Sequence, residues 1–302
     1  MSRLHCAQLL ALVLTAASIS SCGGNPPPLQ PRRAPVADMG ATALPVRIGA
    51  IPQTPPPSTF AESAIVIDIE SGRVLYAKNA DSPRAVASTQ KLLTALCVVD
   101  AGNIDKPIVI TASDGACEPS KLYLKPGETY TRRELLKVLL VKSSNDVGRA
   151  LARDIGGSQE GFATLMNRKA AALGMKNSYF INPHGLPQVG QYSTARDLAI
   201  LSRAAYRSSL IRSFTATKSY TFRFNDGRTR YMENTNRLLK TVPYCDGLKT
   251  GTTNAAGRCL VSSGSLNGRS AIVVVLKSNT PNVWKDSSNL LKWALERPAP
   301  GY

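Results

Sequence analysis

At residues 87–96 the chain reads Ala-Ser-Thr-Gln-Lys-Leu-Leu-Thr-Ala-Leu, a stretch that combines a reactive pair with a helical pattern. Apolar residues recur at helical spacing from Leu92 to Val99 after a turn-like segment, which predicts the start of a buried helix. Ser88 and Lys91 are three residues apart, so they share one face of the first turn. A buried, neutral lysine can take the proton of a serine hydroxyl and make it a nucleophile. The alternative is an ordinary surface Ser and Lys, because this spacing is common.

Two short motifs further along give the pair a context. Ser143-Ser144-Asn145 lies between two helical patterns, and Lys249-Thr250-Gly251 ends a strand-like run. The order S-x-x-K, S-x-N, K-T-G is the motif set of penicillin-binding proteins and serine β-lactamases. Each motif alone is weak, whereas the ordered trio indicates that chemistry.

The segments around and between the motifs resemble the low-molecular-mass D-alanyl-D-alanine carboxypeptidases, over residues 60–297. The resemblance is carried by residues 124–128 (Leu-Lys-Pro-Gly-Glu), 143–146 (Ser-Ser-Asn-Asp), 172–177 (Ala-Leu-Gly-Met-Lys-Asn), 184–186 (His-Gly-Leu), 192–197 (Tyr-Ser-Thr-Ala-Arg-Asp) and 246–251 (Asp-Gly-Leu-Lys-Thr-Gly). It implies a serine peptidase that removes the terminal D-alanine from peptidoglycan stem peptides ending in D-Ala-D-Ala. It also implies covalent inhibition by β-lactam antibiotics. No cofactor is implied, and no Cys/His cluster suggests a metal.

The resemblance gives four catalytic residues their expected roles. Ser88 attacks the carbonyl of the penultimate D-alanine and forms an acyl-enzyme, with Lys91 as the base. Ser143 is expected to relay a proton to the departing amine. Asn145 is expected to hold Lys91 and the peptide amide of the substrate.

The remaining motif residues are expected to bind the substrate. Lys249 supplies positive potential that keeps the base neutral and attracts the terminal carboxylate, which Thr250 can hydrogen-bond. Gly251 lets the substrate backbone approach the strand. By resemblance, the oxyanion hole consists of the backbone N–H groups of Ser88 and Thr252. Many relatives carry a histidine or an aromatic residue where Thr252 stands, a departure that leaves the backbone donor intact.

The formal net charge of +17 raises the question of an acidic partner. Nucleic acid is the usual partner of so basic a chain. Here the Lys and Arg residues are spread out, in runs of at most two, and an export signal also argues against nucleic acid. A basic surface that faces anionic lipid headgroups or an acidic cell-wall polymer is the better interpretation.

Residues 1–21 predict a lipoprotein signal peptide. Arg3 gives the positive start, and residues 9–17 form an apolar stretch that is too short for a stop-transfer helix. Residues 19–22 (Ile-Ser-Ser-Cys) resemble a bacterial lipoprotein cleavage box, in which Cys22 becomes the lipidated first residue. The alternative is a plain signal peptide cut nearby. We therefore expect an exported protein, lipid-anchored to a bacterial membrane, with its catalytic domain in the periplasm or cell-wall space.

Residues 22–59 are expected to be the lipidated cysteine followed by a proline-rich tether. Ten of the twenty prolines fall between residues 23 and 59, and such a segment is extended and has no core of its own. At about 3 Å per residue it could hold a domain up to about 100 Å from a membrane. Residues 298–302 are expected to form a short tail.

Strand patterns lie at both ends of the folded part, and helical patterns lie in the middle. Strands are predicted at residues 64–68, 74–78, 219–224, 229–232, 242–250, 258–263 and 270–277. Helices are predicted at residues 132–141, 147–155, 159–173, 194–207 and 282–296. Strands from the two ends must pair across the insert. We therefore expect an α/β (α+β) two-lobed fold of the serine β-lactamase and penicillin-binding-protein type. Its antiparallel sheet is flanked by helices, with a helical lobe at about 101–215 inside a catalytic domain at 60–297.

Two other functions stay open beside the carboxypeptidase. A serine β-lactamase would share the fold, but the E-x-x-L-N loop of the class A enzymes is absent from the sequence. A non-catalytic peptidoglycan-binding lipoprotein would have a decayed site, whereas here every motif residue is present.

The histidine and the cysteines outside the motifs are expected to be structural. A Ser-His-Asp hydrolase needs a histidine, and His184 could supply it. The sequence has no G-x-S-x-G elbow, however, so a loop-structuring role is favoured for His184. Cys97, Cys117, Cys245 and Cys259 are expected to be free thiols that act as small apolar residues.

Overall fold

A computed structural model of the chain describes residues 54–296. The strands in this range are β1 (Ser63–Asp68), β2 (Val74–Lys78), β3 (Pro107–Val109), β4 (Thr129–Thr131), β5 (Ser219–Arg223), β6 (Thr229–Glu233), β7 (Cys245–Thr253), β8 (Gly257–Leu266) and β9 (Arg269–Ser278). The α-helices are α1 (Lys91–Asp100), α2 (Arg132–Val141), α3 (Asn145–Gly156), α4 (Gln159–Leu173), α5 (Ala195–Arg207), α6 (Ser209–Ala216), α7 (Leu238–Thr241) and α8 (Asn282–Leu295). Two 3-10 helices are formed by Ala87–Gln90 and Ala112–Gly115.

Five strands form one antiparallel sheet in the order β2-β1-β9-β8-β7. β1 pairs with β9, with Ser63 opposite Leu276, so the N-terminal hairpin joins the C-terminal strands across the whole insert. This pairing confirms the expected antiparallel sheet built from both ends of the chain. β7 forms one edge of the sheet and carries Lys249-Thr250-Gly251.

Helices cover both faces of the sheet, which explains the apolar runs in its central strands. On one face, Ile272 and Val274 of β9 belong to the same core cluster as Leu92 of α1. On the other face, Val273 packs in a second cluster with Leu290 of α8. A strand that is buried on both faces reads as a continuous apolar run. This packing fixes α1, and with it the turn that carries Ser88, against the sheet.

The helical lobe lies between β2 and β5 in the sequence. The bounds of α2 and α4 are those predicted, but α3 begins at Asn145, two residues before the predicted start. Asn145 therefore lies in the first turn of a helix and not in the preceding connection. The earlier start places Asp146 in that first turn, where a carboxylate interacts favourably with the helix dipole.

Several short elements were not predicted from the sequence, namely β3, β4, α6, α7 and the 3-10 helix at Ala112–Gly115. Strands of three residues carry too few positions to show an alternating pattern. α6 follows α5 directly because Ser208 has an extended backbone (φ −77°, ψ 112°) and its Oγ accepts a hydrogen bond from Ile211 N–H at 3.4 Å. The strand predicted at 242–250 begins only at Cys245, because α7 is followed by a turn at residues 243–244, in which Cys245 N–H donates to the Val242 carbonyl at 3.0 Å.

The signal segment, Cys22, most of the predicted tether and the tail at 298–302 lie outside the described residues. The last part of the predicted tether contacts the folded part. Trp293 Nε1 of α8 donates to the Thr54 carbonyl at 2.9 Å, and Lys78 Nζ donates to the Thr59 carbonyl at 2.8 Å. Within residues 54–296, no helix has both the length and the apolar character needed to cross a membrane.

Candidate active site

Ser88 lies in the tight 3-10 turn that leads into α1. The predicted helix is present, but its first turn is 3-10, and Lys91 is the first residue of the α-helix proper. Side chains three residues apart eclipse each other in a 3-10 turn. Lys91 Nζ accordingly lies 2.8 Å from Ser88 Oγ. Ala87, directly before the serine, has a φ of 50°, a left-handed conformation that costs an L-residue about 1–2 kcal/mol.

Lys91 is completely buried and has three polar neighbours. Its Nζ donates to Asn145 Oδ1 at 2.7 Å and to the His184 carbonyl at 2.6 Å, in addition to its contact with Ser88. Burial, followed by the charge of Lys249, holds the pKa of Lys91 well below its ordinary value. A neutral amine has two N–H bonds and one lone pair. The two N–H bonds match Asn145 and His184, so the lone pair is left for the hydroxyl hydrogen of Ser88.

Asn145 is held from two sides. Its Nδ2 donates to the Pro119 carbonyl at 2.5 Å, and its backbone N–H donates to the Ser120 carbonyl at 2.7 Å. The neighbouring Asp146 carboxylate accepts backbone N–H groups of the same loop, at 2.9 Å from Leu122 and 2.8 Å from Tyr123. The loop before β4 and the start of α3 therefore form one hydrogen-bonded unit that orients the Asn145 amide toward Lys91.

Lys249 is the second completely buried lysine of the site. Its Nζ donates to Ser143 Oγ at 2.9 Å and to the Thr250 carbonyl at 3.1 Å. Burial lowers the pKa of Lys249 to about 7. Ser143 itself has a φ of 70°, so the turn between α2 and α3 is left-handed at the residue that meets Lys249. The second motif of the sequence is thereby joined to the third.

The edge strand β7 runs very close to the Ser88 turn. A Cβ at Gly251 would lie 2.9 Å from the Val86 carbonyl oxygen and 3.0 Å from the backbone nitrogens of Ser88 and Thr89. Only glycine fits there without displacing backbone. The next residue, Thr252, is exposed, and its Oγ1 accepts a hydrogen bond from Arg258 Nη1 at 3.0 Å.

His184 supports the site through its backbone. Its carbonyl accepts a hydrogen bond from Lys91 at 2.6 Å and lies 3.3 Å from Ser88 Oγ, whereas its ring Nδ1 accepts the Leu186 N–H at 3.2 Å. Burial, followed by the charges of Lys91 and Arg149, lowers the pKa of His184 to about 3. The next residue, Gly185, packs directly against the Ala87 carbonyl with a φ of 86°. This arrangement confirms the loop-structuring role predicted for His184.

Thr235 is a site residue that sequence reasoning missed. Thr250 Oγ1 donates to Thr235 Oγ1 at 2.7 Å, so the segment after β6 reaches the third motif. No motif marks Thr235, because its position depends on the β5–β6 hairpin and on α7. The segment lines, with Ser88, Ser143 and Thr250, a groove of about 450 Å³. Four basic side chains stand around this groove: Lys142, Arg237, Lys240 and Arg258.

The cysteines of the described part are free thiols, as expected. Cys245 lies opposite Gly264 and Cys259 lies opposite Gly251 in the β7–β8 ladder, so the two thiols are far out of register. Within residues 54–296, no group of three or more His, Cys, Asp or Glu side chains could hold a metal ion.

Comparisons with known proteins identify relatives that are similar to this chain in sequence and in structure. A family model described as D-alanyl-D-alanine carboxypeptidase matches residues 51–280. The D-alanyl-D-alanine carboxypeptidase DacF of Bacillus subtilis is 39% identical over 226 residues, which are 73% of this chain and 58% of DacF. The D-alanyl-D-alanine carboxypeptidase DacB2 of Mycobacterium tuberculosis is 34% identical over 245 residues, which are 79% of this chain and 84% of the relative. A crystal structure of a Mycobacterium tuberculosis D-alanyl-D-alanine carboxypeptidase matches with a TM-score of 0.78 and 31% identity, covering 83% of this chain and 99% of that one.

Proposed function

This chain belongs to the D-alanyl-D-alanine carboxypeptidase family, and from that membership we propose that it removes the terminal D-alanine from peptidoglycan stem peptides ending in D-Ala-D-Ala. The observation that carries the proposal is the contact between Ser88 Oγ and the buried Lys91 amine, with a second buried lysine across Ser143. A surface Ser and Lys would have neither the burial nor the second cation. The geometry therefore supports serine acyl transfer.

In the proposed acylation step, Ser88 Oγ attacks the carbonyl carbon of the penultimate D-alanine while Lys91 takes the hydroxyl proton. The backbone N–H groups of Ser88 and Thr252 stabilise the negative charge that develops on the carbonyl oxygen. The C–N bond then breaks, and the amine of the leaving D-alanine takes a proton from Ser143 Oγ. The proton that Lys91 took from Ser88 replaces the one that Ser143 gave up, so Lys91 is neutral again and Lys249 keeps its charge. The contact of Ser143 with Lys249 supports this relay, because Lys249 donates to Ser143 Oγ and leaves the Ser143 hydroxyl hydrogen for the amine.

In the proposed deacylation step, a water molecule attacks the ester carbonyl and Lys91 takes its proton. The C–O bond to Ser88 breaks, and the proton returns to Ser88 Oγ, which regenerates the enzyme and releases the shortened peptide. β-Lactam antibiotics would acylate Ser88 by the same attack, and their ring-opened product has no departing group to leave the site. A β-lactamase would be acylated by a β-lactam in the same way but would hydrolyse that acyl-enzyme rapidly.

The substrate's terminal carboxylate is proposed to bind beside Lys249 and Thr250. Lys249 Nζ has three donors, of which two are directed to Ser143 and the Thr250 carbonyl. The Thr250 hydroxyl lies in the groove and reaches Thr235. Gly251 keeps β7 close to Ser88, so a peptide aligned along this edge would present its carbonyl to the nucleophile.

We also propose that the protein is exported and anchored to a membrane by lipid on Cys22. The supporting features are the apolar segment at residues 9–17, the cleavage box at residues 19–22 and the proline-rich stretch that follows. The activity itself requires an exported site, because the peptidoglycan stem peptides lie outside the cytoplasm.

The decisive experiment is the substitution Ser88→Ala in the full chain. We expect this variant to release no D-alanine from a pentapeptide ending in D-Ala-D-Ala and to form no covalent adduct with penicillin, while its thermal unfolding resembles that of the parent protein. Released D-alanine and the intact mass after incubation with penicillin are the two measurements. A penicilloyl adduct on Ser88→Ala would show that another residue is the nucleophile. A parent protein that forms the adduct and hydrolyses it rapidly without releasing D-alanine would favour the β-lactamase.

A further inference from the structure

A second cavity, here called the α5 cavity, lies at the edge of the sheet opposite to the candidate active site. It has a volume of about 370 Å³ and is formed by β1, β2, α5 and the end of α4. β2 is the outer strand at this edge, whereas β7, which carries Lys249-Thr250-Gly251, is the outer strand at the other edge. The volume is in the range of small-ligand sites, and the lining residues are separate from those of the groove beside Ser88.

The wall of the α5 cavity is largely apolar. Ile65 and Ile67 of β1 form its buried floor, and Val74 of β2 is 40% exposed at its side. Ile200 and Ala204 of α5 line the facing wall and are only partly buried. Apolar surface that stays in contact with water favours an apolar ligand, because binding removes that surface from water. The cavity therefore suits a ligand with a hydrocarbon part.

Three arginines of α5 also line the cavity, and two of them keep an uncompensated charge. Arg196 is neutralised by Asp81, whose carboxylate oxygens accept hydrogen bonds from Arg196 at 2.6 and 3.0 Å. Among residues 54–296, neither Arg203 nor the exposed Arg207 forms an ion pair with a carboxylate. Arg203 and Arg207 are four residues apart in α5, so their side chains share one face of the helix. Like charges at this spacing repel each other, and an anion bound between them would relieve the repulsion.

Arg203 is held in place by the turn between β1 and β2. Its Nε and Nη2 donate to the carbonyls of Ile69 and Glu70, both at 2.6 Å. A guanidinium has five N–H donors, so most of them remain for a ligand after these two contacts. Gly72 makes room for the guanidinium, because a Cβ at this position would lie 2.9 Å from Arg203 Nη1. The positive group is therefore positioned beside the cavity before any ligand binds.

The N-terminal end of the described chain lies at the same edge of the sheet. Lys78 of β2 donates to the Thr59 carbonyl at 2.8 Å, and Tyr76 Oη lies 3.4 Å from Thr59 Oγ1. The segment before residue 54 contains Cys22, the proposed lipidation site. The β2 edge is therefore the part of the folded chain that continues into the proposed anchor. A lipid site on a tethered domain needs little affinity of its own, because the tether keeps the local concentration of membrane lipid high.

We propose that the α5 cavity binds one anionic phospholipid of the membrane, with the phosphate at Arg203 and Arg207 and part of an acyl chain against Ile200 and Ala204. The two arginine charges favour an anionic headgroup over a zwitterionic one. The apolar wall favours a diacyl lipid over a soluble phosphate. With this lipid bound, the β2 edge faces the bilayer, and the β7 edge with the candidate active site faces away from it. The proposal goes beyond the peptidase activity and does not depend on it.

The test measures the binding of soluble probes to the full chain by calorimetry. The probes are dihexanoyl phosphatidylglycerol, dihexanoyl phosphatidylcholine and glycerol phosphate, with both lipids kept below the concentration at which they form micelles. We expect the parent protein to bind the phosphatidylglycerol about fivefold or more tightly than either other probe. Arg207→Gln should remove this preference. Ala204→Leu, which fills part of the α5 cavity, should weaken phosphatidylglycerol binding about fivefold and leave glycerol phosphate binding unchanged.

Arg168→Gln is the matched control for the loss of charge. Arg168 is an exposed arginine of α4 that does not line the α5 cavity, so its replacement should leave all three affinities at the parental values. D-Alanine release measured on the same preparations tests the proposed function separately.

Three results would overturn the proposal. The first is a parent protein that binds phosphatidylglycerol no more tightly than phosphatidylcholine. The second is an unchanged phosphatidylglycerol affinity in Arg207→Gln and Ala204→Leu proteins that are folded by circular dichroism. The third is glycerol phosphate binding as tight as that of phosphatidylglycerol, which would indicate a site for free phosphate or for an acidic wall polymer and not for a lipid.

Discussion

Lys91 and Lys249 are both fully buried, and the proposed mechanism requires them to carry different charges. The pKa of Lys91 lies well below its usual value because of burial and the neighbouring Lys249 charge, and burial alone lowers the pKa of Lys249 to about 7. The proposed base must be deprotonated, so its activity appears as pH rises through the lowered pKa of Lys91. The proposed carboxylate partner must be charged, so its contribution is lost as pH rises through about 7.

These opposite requirements predict a bell-shaped dependence of kcat/KM on pH for the acid-terminated peptide. The acid limb reports the loss of the proton from Lys91, and the alkaline limb reports the loss of charge on Lys249. The same peptide amidated at its C-terminus has no terminal carboxylate, so its alkaline limb should be much weaker. Initial rates measured from pH 5 to 10 at constant ionic strength would check this, with the two pKa values treated as properties of the pair.

Lys91→Arg is the control for the acid limb. A guanidinium stays protonated over the whole working range, so this variant should show no acylation at any pH. An alkaline limb of equal depth for both peptides would contradict the role given to the Lys249 charge.

At this scale the sequence predicted the motif residues better than their surroundings. The structure brings Ser88, Lys91 and Asn145 together, as their proposed roles require. Thr235 and the His184 carbonyl were missed as parts of the site for physical reasons. A backbone carbonyl leaves no signature in the residue type, and Thr235 meets Thr250 only after the β5–β6 hairpin and α7 have folded.

Among the elements, β7 lies in close contact with the Ser88 turn at Gly251. We predict that Gly251→Ala lowers the rate of penicillin acylation by about tenfold to a hundredfold. The added Cβ would meet backbone atoms of Val86, Ser88 and Thr89 at 2.9–3.0 Å, so β7 must move away from the nucleophile. Stopped-flow or mass-spectrometric acylation rates would measure the effect.

The control for this prediction is Gly115→Ala. Gly115 ends the second 3-10 helix, and a Cβ there would meet no atom within 4 Å. This variant should acylate at the parental rate. If Gly251→Ala also acylates at the parental rate, the close approach of β7 is not needed for reaction.

The long helices and strands were predictable because each is long enough to show its pattern of apolar residues, with helical spacing in a helix and a strand-like apolar run in a strand. α2 and α4 have the predicted bounds, and the C-terminal hairpin β8–β9 turns at Asn267-Gly268 as predicted. The three-residue strands and α7 were not predictable, because tertiary contacts stabilise them more than local preference does. The start of α3 was missed because Ser-Ser-Asn reads as a turn until the Asp146 contacts with the preceding loop are known.

At the scale of the whole molecule, the proposed anchor and the proposed activity are separable. We predict that Cys22→Ser abolishes labelling by a fatty-acid analogue and releases the protein from the membrane fraction or leaves its signal segment uncut. Its activity on a soluble peptide should be unchanged, because Cys22 precedes the part that holds Ser88 and β7. Metabolic labelling, membrane fractionation and D-alanine release are the measurements.

Cys6→Ser is the matched control for labelling. Cys6 lies inside the predicted signal segment, so its loss should leave the label in place. A mature parent protein that is unlabelled and freely soluble would contradict the lipid anchor without affecting the assignment of the nucleophile.

The pairing of β1 with β9 also determines when, during synthesis of the chain, the sheet and the site can form. A chain synthesised from its N-terminus exposes Ser88 and Lys91 well before β7 and β9 exist, and β1 cannot take its place between β2 and β9 until Leu276 arrives opposite Ser63. Such distant pairing makes the sheet slow to close. Until it closes, the nucleophile lacks the second lysine and the Thr252 amide. We therefore expect an incomplete chain to be inactive, so that it neither cleaves peptides nor reacts with β-lactams while it is being synthesised.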